Sequence, residues 1–119
     1  NYKGRNFLDG GDGNDTLIGG PAFDALDTAY YGNATGPVVV DLVAGTATGQ
    51  GNDTLFYIES VVGSGFADTI IGSNAANTLV GNGDGDTIDG GAGDDQLDGG
   101  AGDDILYGGL GNDVVTGGA

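Results

Sequence analysis

Residues 90–116 read Gly90-Gly91-Ala92-Gly93-Asp94-Asp95-Gln96-Leu97-Asp98, then Gly99-Gly100-Ala101-Gly102-Asp103-Asp104-Ile105-Leu106-Tyr107, then Gly108-Gly109-Leu110-Gly111-Asn112-Asp113-Val114-Val115-Thr116. These are three consecutive nonamers with glycine at positions one, two and four, an acid at six and a large apolar residue at eight. The same ruling extends back to residue 54. Its eighth column holds Val61, Ile70, Leu79, Ile88, Leu97, Leu106 and Val115, and its sixth holds Glu59, Asp68, Asn77, Asp86, Asp95, Asp104 and Asp113. Residues 1–27 follow it too, with Asn6, Asp15 and Asp24 in column six and Leu8, Leu17 and Leu26 in column eight. Residues 28–53 do not: they number 26, one short of three repeats.

A nine-residue unit is too short for a helix pair. Glycine costs roughly 0.5–1 kcal/mol per residue inside a helix or strand, so the glycine half of each unit is a turn that uses positive φ. The other half, such as Thr87-Ile88-Asp89, alternates polar and apolar and forms a three-residue strand with its eighth-column side chain pointing inward. Alternate strands then build two parallel sheets around the eighth column, one coil per 18 residues or so. Residues 1–27 and 54–119 are read as regular repeats. Residues 28–53 are read as an irregular, widened strand-and-turn insertion in one continuous domain. Within it Val38-Val39-Val40-Asp41-Leu42 is strand-like, Ala44-Gly45 is a turn and Thr46-Ala47-Thr48 is a return strand.

The chain has 119 residues, 18 of them acidic and only two basic (Lys3 and Arg5), for a net charge of −16. That balance argues against nucleic-acid and anionic-membrane partners. Without Cys or His, no disulfide, zinc, copper or haem site and no His-activated nucleophile can form. Apolar runs such as Val38-Val39-Val40 are only a few residues long, so no segment spans a membrane. Asn1-Tyr2-Lys3-Gly4-Arg5 leads into no apolar stretch of a signal peptide, and a chain without Met reads as a processed or excerpted piece. Twenty-eight glycines without a three-residue period and with two prolines exclude collagen. High charge with few aromatics ordinarily signals disorder; here the acids are spaced, not blocked.

In the coil just described, turns n and n+2 stack on one edge. Asp68, Asp86 and Asp104 then form one column, and Glu59, Asn77, Asp95 and Asp113 the other. Strands lie about 4.8 Å apart, and two carboxylates at that distance repel by several kcal/mol at an effective dielectric near 20. Two basic residues cannot neutralise them, so bound cations are expected. Carboxylate and carbonyl oxygens without nitrogen or sulfur ligands select Ca²⁺, with Mg²⁺ disfavoured by its rigid octahedral demand.

Gly10-Gly11-Asp12-Gly13-Asn14-Asp15-Thr16-Leu17-Ile18 and the three nonamers from Gly90 to Thr116 resemble the G-G-x-G-x-D-x-U-x units of repeats-in-toxin (RTX) proteins. The resemblance covers essentially the whole chain. It implies an all-β, right-handed parallel β-roll with several Ca²⁺ ions between stacked turns. It also implies that the ligands are Asp15, Asp68, Asp86, Asp95, Asp104 and Asp113 with the carbonyls of Gly91, Gly93, Gly100, Gly102, Gly109 and Gly111. Asp24 follows Ala22 where the fourth glycine belongs, and Asn77 has lost the charge, so both are expected as weaker ligands. Glu59 is longer than Asp and sits in a row without glycines, so it is not counted among the ligands.

The ninth-column acids Asp9, Asp27, Asp89 and Asp98, and the fifth-column Asp94 and Asp103, read as solubilising. Tyr30, Tyr31, Phe56 and Tyr57 flank the insertion and read as local packing. Asn14-Asp15-Thr16, Asn33-Ala34-Thr35 and Asn52-Asp53-Thr54 match the N-glycosylation pattern but are read as unused. No catalytic pair is expected: the close acids are assigned to Ca²⁺, and Asp41 and Asp53 show no partner. The expected function is that of an extracellular or cell-surface calcium-binding β-roll module, not an enzyme. It folds on Ca²⁺ and has a structural or stabilising role in a secreted bacterial protein, a type I secretion substrate by resemblance. Two alternatives accompany this reading. One is a subunit of a surface layer, matrix or filament that self-associates head to tail, with Gly117-Gly118-Ala119 of one copy meeting Gly4–Asp9 of the next. The other is an accessory module of a secreted enzyme, toxin or adhesin.

Overall fold

A computed structural model describes residues 5–20 and 26–119. Among them there is no helix, and the strands form two sheets. In spatial order the first sheet holds β1 (Phe7–Leu8), β3 (Thr28–Tyr30), β7 (Ser60–Val62), β9 (Thr78–Val80), β11 (Gln96–Asp98) and β13 (Val114–Thr116). The second holds β12 (Ile105–Tyr107), β10 (Thr87–Asp89), β8 (Thr69–Ile71), β4 (Val39–Asp41), β5 (Thr46–Thr48), β6 (Asn52–Phe56) and β2 (Thr16–Ile18).

From β7 onward the nine-residue period becomes geometry. Thr69 pairs with Thr87 and Thr87 with Ile105 in one sheet, while Ser60, Thr78, Gln96 and Val114 succeed one another in the other, all parallel. The chain therefore changes sheet every nine residues and returns after one coil. β7 to β11 each bury their middle residue. Val61, Ile70, Leu79 and Ile88 are wholly buried and Leu97 nearly so, which stabilises the roll by about 1.5–3 kcal/mol per side chain. Leu106 is half-buried and Val115 is exposed, on the outermost strands.

The glycine turns are set by contact between coils as much as by φ. Gly100 has φ +86, and a methyl there would collide with the Asn82 carbonyl of the coil beneath. Asn82 itself carries φ 83 in the same column, a conformation that Asn tolerates better than most residues.

From Asp27 to Glu59 the chain departs from the period. β3 pairs with β1 in the register Phe7↔Thr28 and Leu8↔Ala29, three residues beyond one coil. The strand expected at 25–27 is thus displaced to Thr28–Tyr30. Ala29, not Leu26, is the buried core residue there, and Leu26 is only half-buried. After β3 the chain runs to β4, which lies beside β8, and then walks back through antiparallel β5 and β6 until β6 lies parallel to β2. This three-strand meander gives the second sheet seven strands against six. It forms because Val38, Val40, Ala47 and Leu55 all reach the core. Asp41 closes the β4–β5 turn by accepting the N–H groups of Val43 and Ala44. Tyr31, nearly fully buried, fills the space beneath.

Candidate metal centre at the turn edges

Each sixth-column residue immediately precedes a strand, so the parallel ladder stacks these residues along the two edges of the roll. The contacts follow one rule: a carboxylate accepts the backbone N–H of the equivalent residue one coil back. On one edge Asp68 N–H donates to Asp86 Oδ1 (2.8 Å) and Asp86 N–H to Asp104 Oδ1 (2.9 Å). On the other, Asn77 N–H donates to Asp95 Oδ1 (2.8 Å) and Asp95 N–H to Asp113 Oδ1 (2.9 Å). The two columns read from the sequence are therefore physical columns. Charge repulsion within them is offset in part by an N–H between successive rungs.

One oxygen per rung is used in this way, and the other is often left over. The Oδ2 atoms of Asp15, Asp27, Asp86, Asp95 and Asp104 are buried without a hydrogen-bond partner. A buried acceptor left unpaired costs about 1–3 kcal/mol, more when charged. Burial, opposed by the Asp68 N–H and reinforced by the charges of Asp68, Asp104 and Asp84, pushes the Asp86 carboxyl up to about 6. Burial likewise raises Asp95, with Asp113, Asp94 and Asp89 adding to the effect. Glu59 is raised by burial, with Asp27 contributing. These are carboxylates in want of a positive charge.

Other rungs are satisfied within the protein. Asp68 accepts from Val38 N–H (2.8 Å), Ser64 N–H (2.6 Å) and Ser64 Oγ–H (2.6 Å). Asn77 accepts from Ser73 N–H (2.8 Å) and donates through Nδ2 to the Glu59 carbonyl (3.1 Å). The sequence signal for this class is a serine, Ser64 or Ser73, in the second column where the regular rows have glycine. Asp53 accepts Asp15 N–H at Oδ1 (2.9 Å) and the Tyr31 hydroxyl at Oδ2 (2.9 Å). Asp53, for which the sequence suggests no partner, is thus a buried rung.

Asp27 needs the larger correction. It is not a solvated ninth-column acid but is 1 % exposed and precedes β3, in the rung position that the period assigns to Asp24. Asp24 itself lies outside the described residues. Asp9, Asp89 and Asp98 are exposed, and each caps the turn that follows by accepting the N–H of Gly11, Gly91 and Gly100 respectively. Asp94 and Asp103 are also exposed.

The glycine carbonyls are stacked under the next coil. A methyl at Gly109, Gly111 or Gly118 would collide with the carbonyl of Gly91, Gly93 or Gly100. Gly91 O accepts Leu110 N–H and Gly100 O accepts Ala119 N–H, both at 3.0 Å, while Gly102 N–H donates to Ala119 O. Among the described residues no three carboxylates converge on one point. A cation here would therefore be held by carboxylates of successive rungs together with backbone carbonyls. Five orphaned, buried carboxylate oxygens and an all-oxygen donor set fit Ca²⁺.

The sequence matches the family model of the RTX calcium-binding nonapeptide repeat, in four copies, over residues 2–26, 62–97 and 89–119. The chain belongs to the RTX repeat family. RTX repeats are calcium-binding structural repeats, so this β-roll is a calcium-binding one and its repeats are not catalytic units. A comparison with curated proteins finds no match. The RTX match leaves residues 27–61 uncovered, and that interval contains Asp27, Asp53, Glu59 and the meander. No helix among the described residues is long and apolar enough to cross a membrane.

Proposed function

We propose that this chain is a secreted, extracellular β-roll module whose folding is coupled to Ca²⁺ and whose role in its bacterial parent protein is structural or stabilising. The observation that carries this reading is the set of buried carboxylate oxygens without donors at Asp15, Asp86, Asp95 and Asp104. Their cost falls on the folded state alone, and a bound cation removes it. The ligands would be these four, Asp113 and the weaker Asp24, with carbonyls of Gly91, Gly93, Gly100, Gly102, Gly109 and Gly111. Asp68 and Asn77 contribute less, because Ser64 and Ser73 already hold them. Binding only the folded state stabilises it by RT ln(1 + [L]/Kd), and extracellular Ca²⁺ modules work at about 10⁻⁴–10⁻³ M. Such a chain stays loose, above all in its regular coils, where Ca²⁺ is scarce and completes its folding outside the cell. Far-UV circular dichroism during a Ca²⁺ titration tests it: a β signal should appear cooperatively near millimolar Ca²⁺, and a spectrum indifferent to Ca²⁺ sinks the reading.

A second reading, self-association, draws on the outer strands. There Ile105, Tyr107, Leu110 and Val114 are all exposed beside unpaired strand edges. Size-exclusion chromatography in millimolar Ca²⁺ separates the two: a strict monomer leaves an accessory module of a larger enzyme, toxin or adhesin.

A further inference from the structure

We propose that Asp27 and Glu59 form a Ca²⁺ site of their own, outside the RTX repeats, on the edge where β3 meets β7. The proposal rests on the calcium-module reading above and extends it to residues that neither the period nor the family match includes.

Three observations converge there. First, Asp27 N–H donates to Glu59 Oε2 at 3.1 Å. This is the rung bond that joins Asp86 to Asp104 and Asp95 to Asp113, so Asp27 and Glu59 are successive rungs although they stand 32 residues apart. Second, Asp27 is 1 % exposed and only half satisfied. Its Oδ1 accepts both the N–H and the Nδ2–H of Asn6, at 2.8 and 2.7 Å, while its buried Oδ2 has no partner. Third, the backbone around that oxygen copies the repeat. A Cβ on Gly90 would meet Asp95 Oδ2 at 2.5 Å and the Gly108 carbonyl oxygen at 2.8 Å; on Gly81 it would meet Asp86 Oδ2 and the Gly99 carbonyl. On Gly19 it would meet Asp27 Oδ2 at 2.7 Å and the Tyr57 carbonyl. The Tyr57 carbonyl therefore stands where the regular coils place the carbonyls of Gly99 and Gly108.

The donor set is two carboxylates with nearby carbonyls of Gly19 and Tyr57, all hard oxygens. The carboxylates together carry the charge that one divalent ion neutralises. Asn6 holds Asp27 Oδ1 and also reaches the Gly19 carbonyl (3.3 Å), which fixes Asp27 so that its second oxygen is the one left over. A flexible oxygen cage of this kind takes Ca²⁺ in preference to Mg²⁺.

Native mass spectrometry and calorimetric titration of the whole chain with Ca²⁺ decide it. Asp27→Asn keeps an acceptor for Asn6 and removes the charge; it should bind one ion fewer than the parent chain. Asp103→Asn, at an exposed acid, should bind the full number. Glu59→Gln should weaken one site at least tenfold. A parent chain that binds no Ca²⁺ overturns the calcium-module reading itself. A parent that binds while D27N matches it in number and affinity overturns only the Asp27–Glu59 site. Where D27N fails to fold in saturating Ca²⁺ by circular dichroism, E59Q decides, and unchanged stoichiometry and affinities there overturn the proposal. A purely structural rung would lower the melting temperature without changing the ion count.

Discussion

The regular coils from Gly81 onward and the central segment from Asp53 to Val80 differ in how their edge carboxylates are satisfied. In the regular coils Asp86, Asp95 and Asp104 each keep a buried oxygen without a donor. In the central segment Asp53 has the Tyr31 hydroxyl, Asp68 has Ser64, and Asn77 has Ser73 with no charge to neutralise. The same rung can be completed by a side-chain donor or left for a cation. Gly91 and Gly100 in the second column bring no side-chain donor to Asp95 and Asp104, and Asn82 sends its Nδ2–H to the Gly63 carbonyl and not to Asp86, so these rungs are left for the cation.

The largest expected effect follows directly. Chelation of Ca²⁺ should strip amide-exchange protection from β10–β13 by orders of magnitude while β4–β6 and β8 retain more of theirs. Uniform loss of protection along the chain would break the comparison. Next, Asp86→Ala and Asp104→Ala should each weaken Ca²⁺ binding at least tenfold, measured by calorimetry. Asp89→Ala and Asp98→Ala, which remove only exposed turn caps, should change it less than about fivefold, in keeping with a cap worth about 1 kcal/mol or less. Equal effects would refute the separation of ligand and capping columns.

Acidity should act in the direction opposite to its usual one. The Asp86 carboxyl in the Ca²⁺-free fold is raised from 3.8 to about 6. The folded state therefore binds that proton more tightly than the unfolded chain does. The stability it contributes is fully present below about pH 3.8 and is lost as pH rises through about 6. Ca²⁺-free protein should accordingly show more β signal at about pH 4 than at about pH 7 by circular dichroism; the reverse order would show that the buried rungs are not the destabilising element. The smallest effect tests the other region. Tyr31→Phe leaves Asp53 Oδ2 without its donor and should cost about 1–3 kcal/mol in denaturant unfolding. It should also make the central segment more dependent on Ca²⁺. An unchanged midpoint would mean that the hydroxyl is not what completes that rung.

Much of this architecture is legible in the amino-acid sequence. Columns six and eight alone determine which side chains line the edges and which fill the core from Val61 to Leu97, since every coil repeats the same local environment. Val38-Val39-Val40 and Thr46-Ala47-Thr48 announce a strand and its return by β-branched content, and the two form antiparallel β4 and β5. The slip of three residues ahead of β3 is illegible. Asp24 and Leu26 satisfy columns six and eight, so the pattern looks unbroken where the chain has already left it.

The sequence by itself determined the period, the β-roll, the stacked acids and their need for Ca²⁺, because these follow from local spacing and charge. Only the tertiary structure decided which acid occupies a given rung. Asp27 takes the rung before β3, Asp53 meets Tyr31, and Glu59 meets Asp27 across 32 residues. Those pairings arise from how a meander packs against a sheet, and a nonrepeating stretch carries no periodic signal that could announce them.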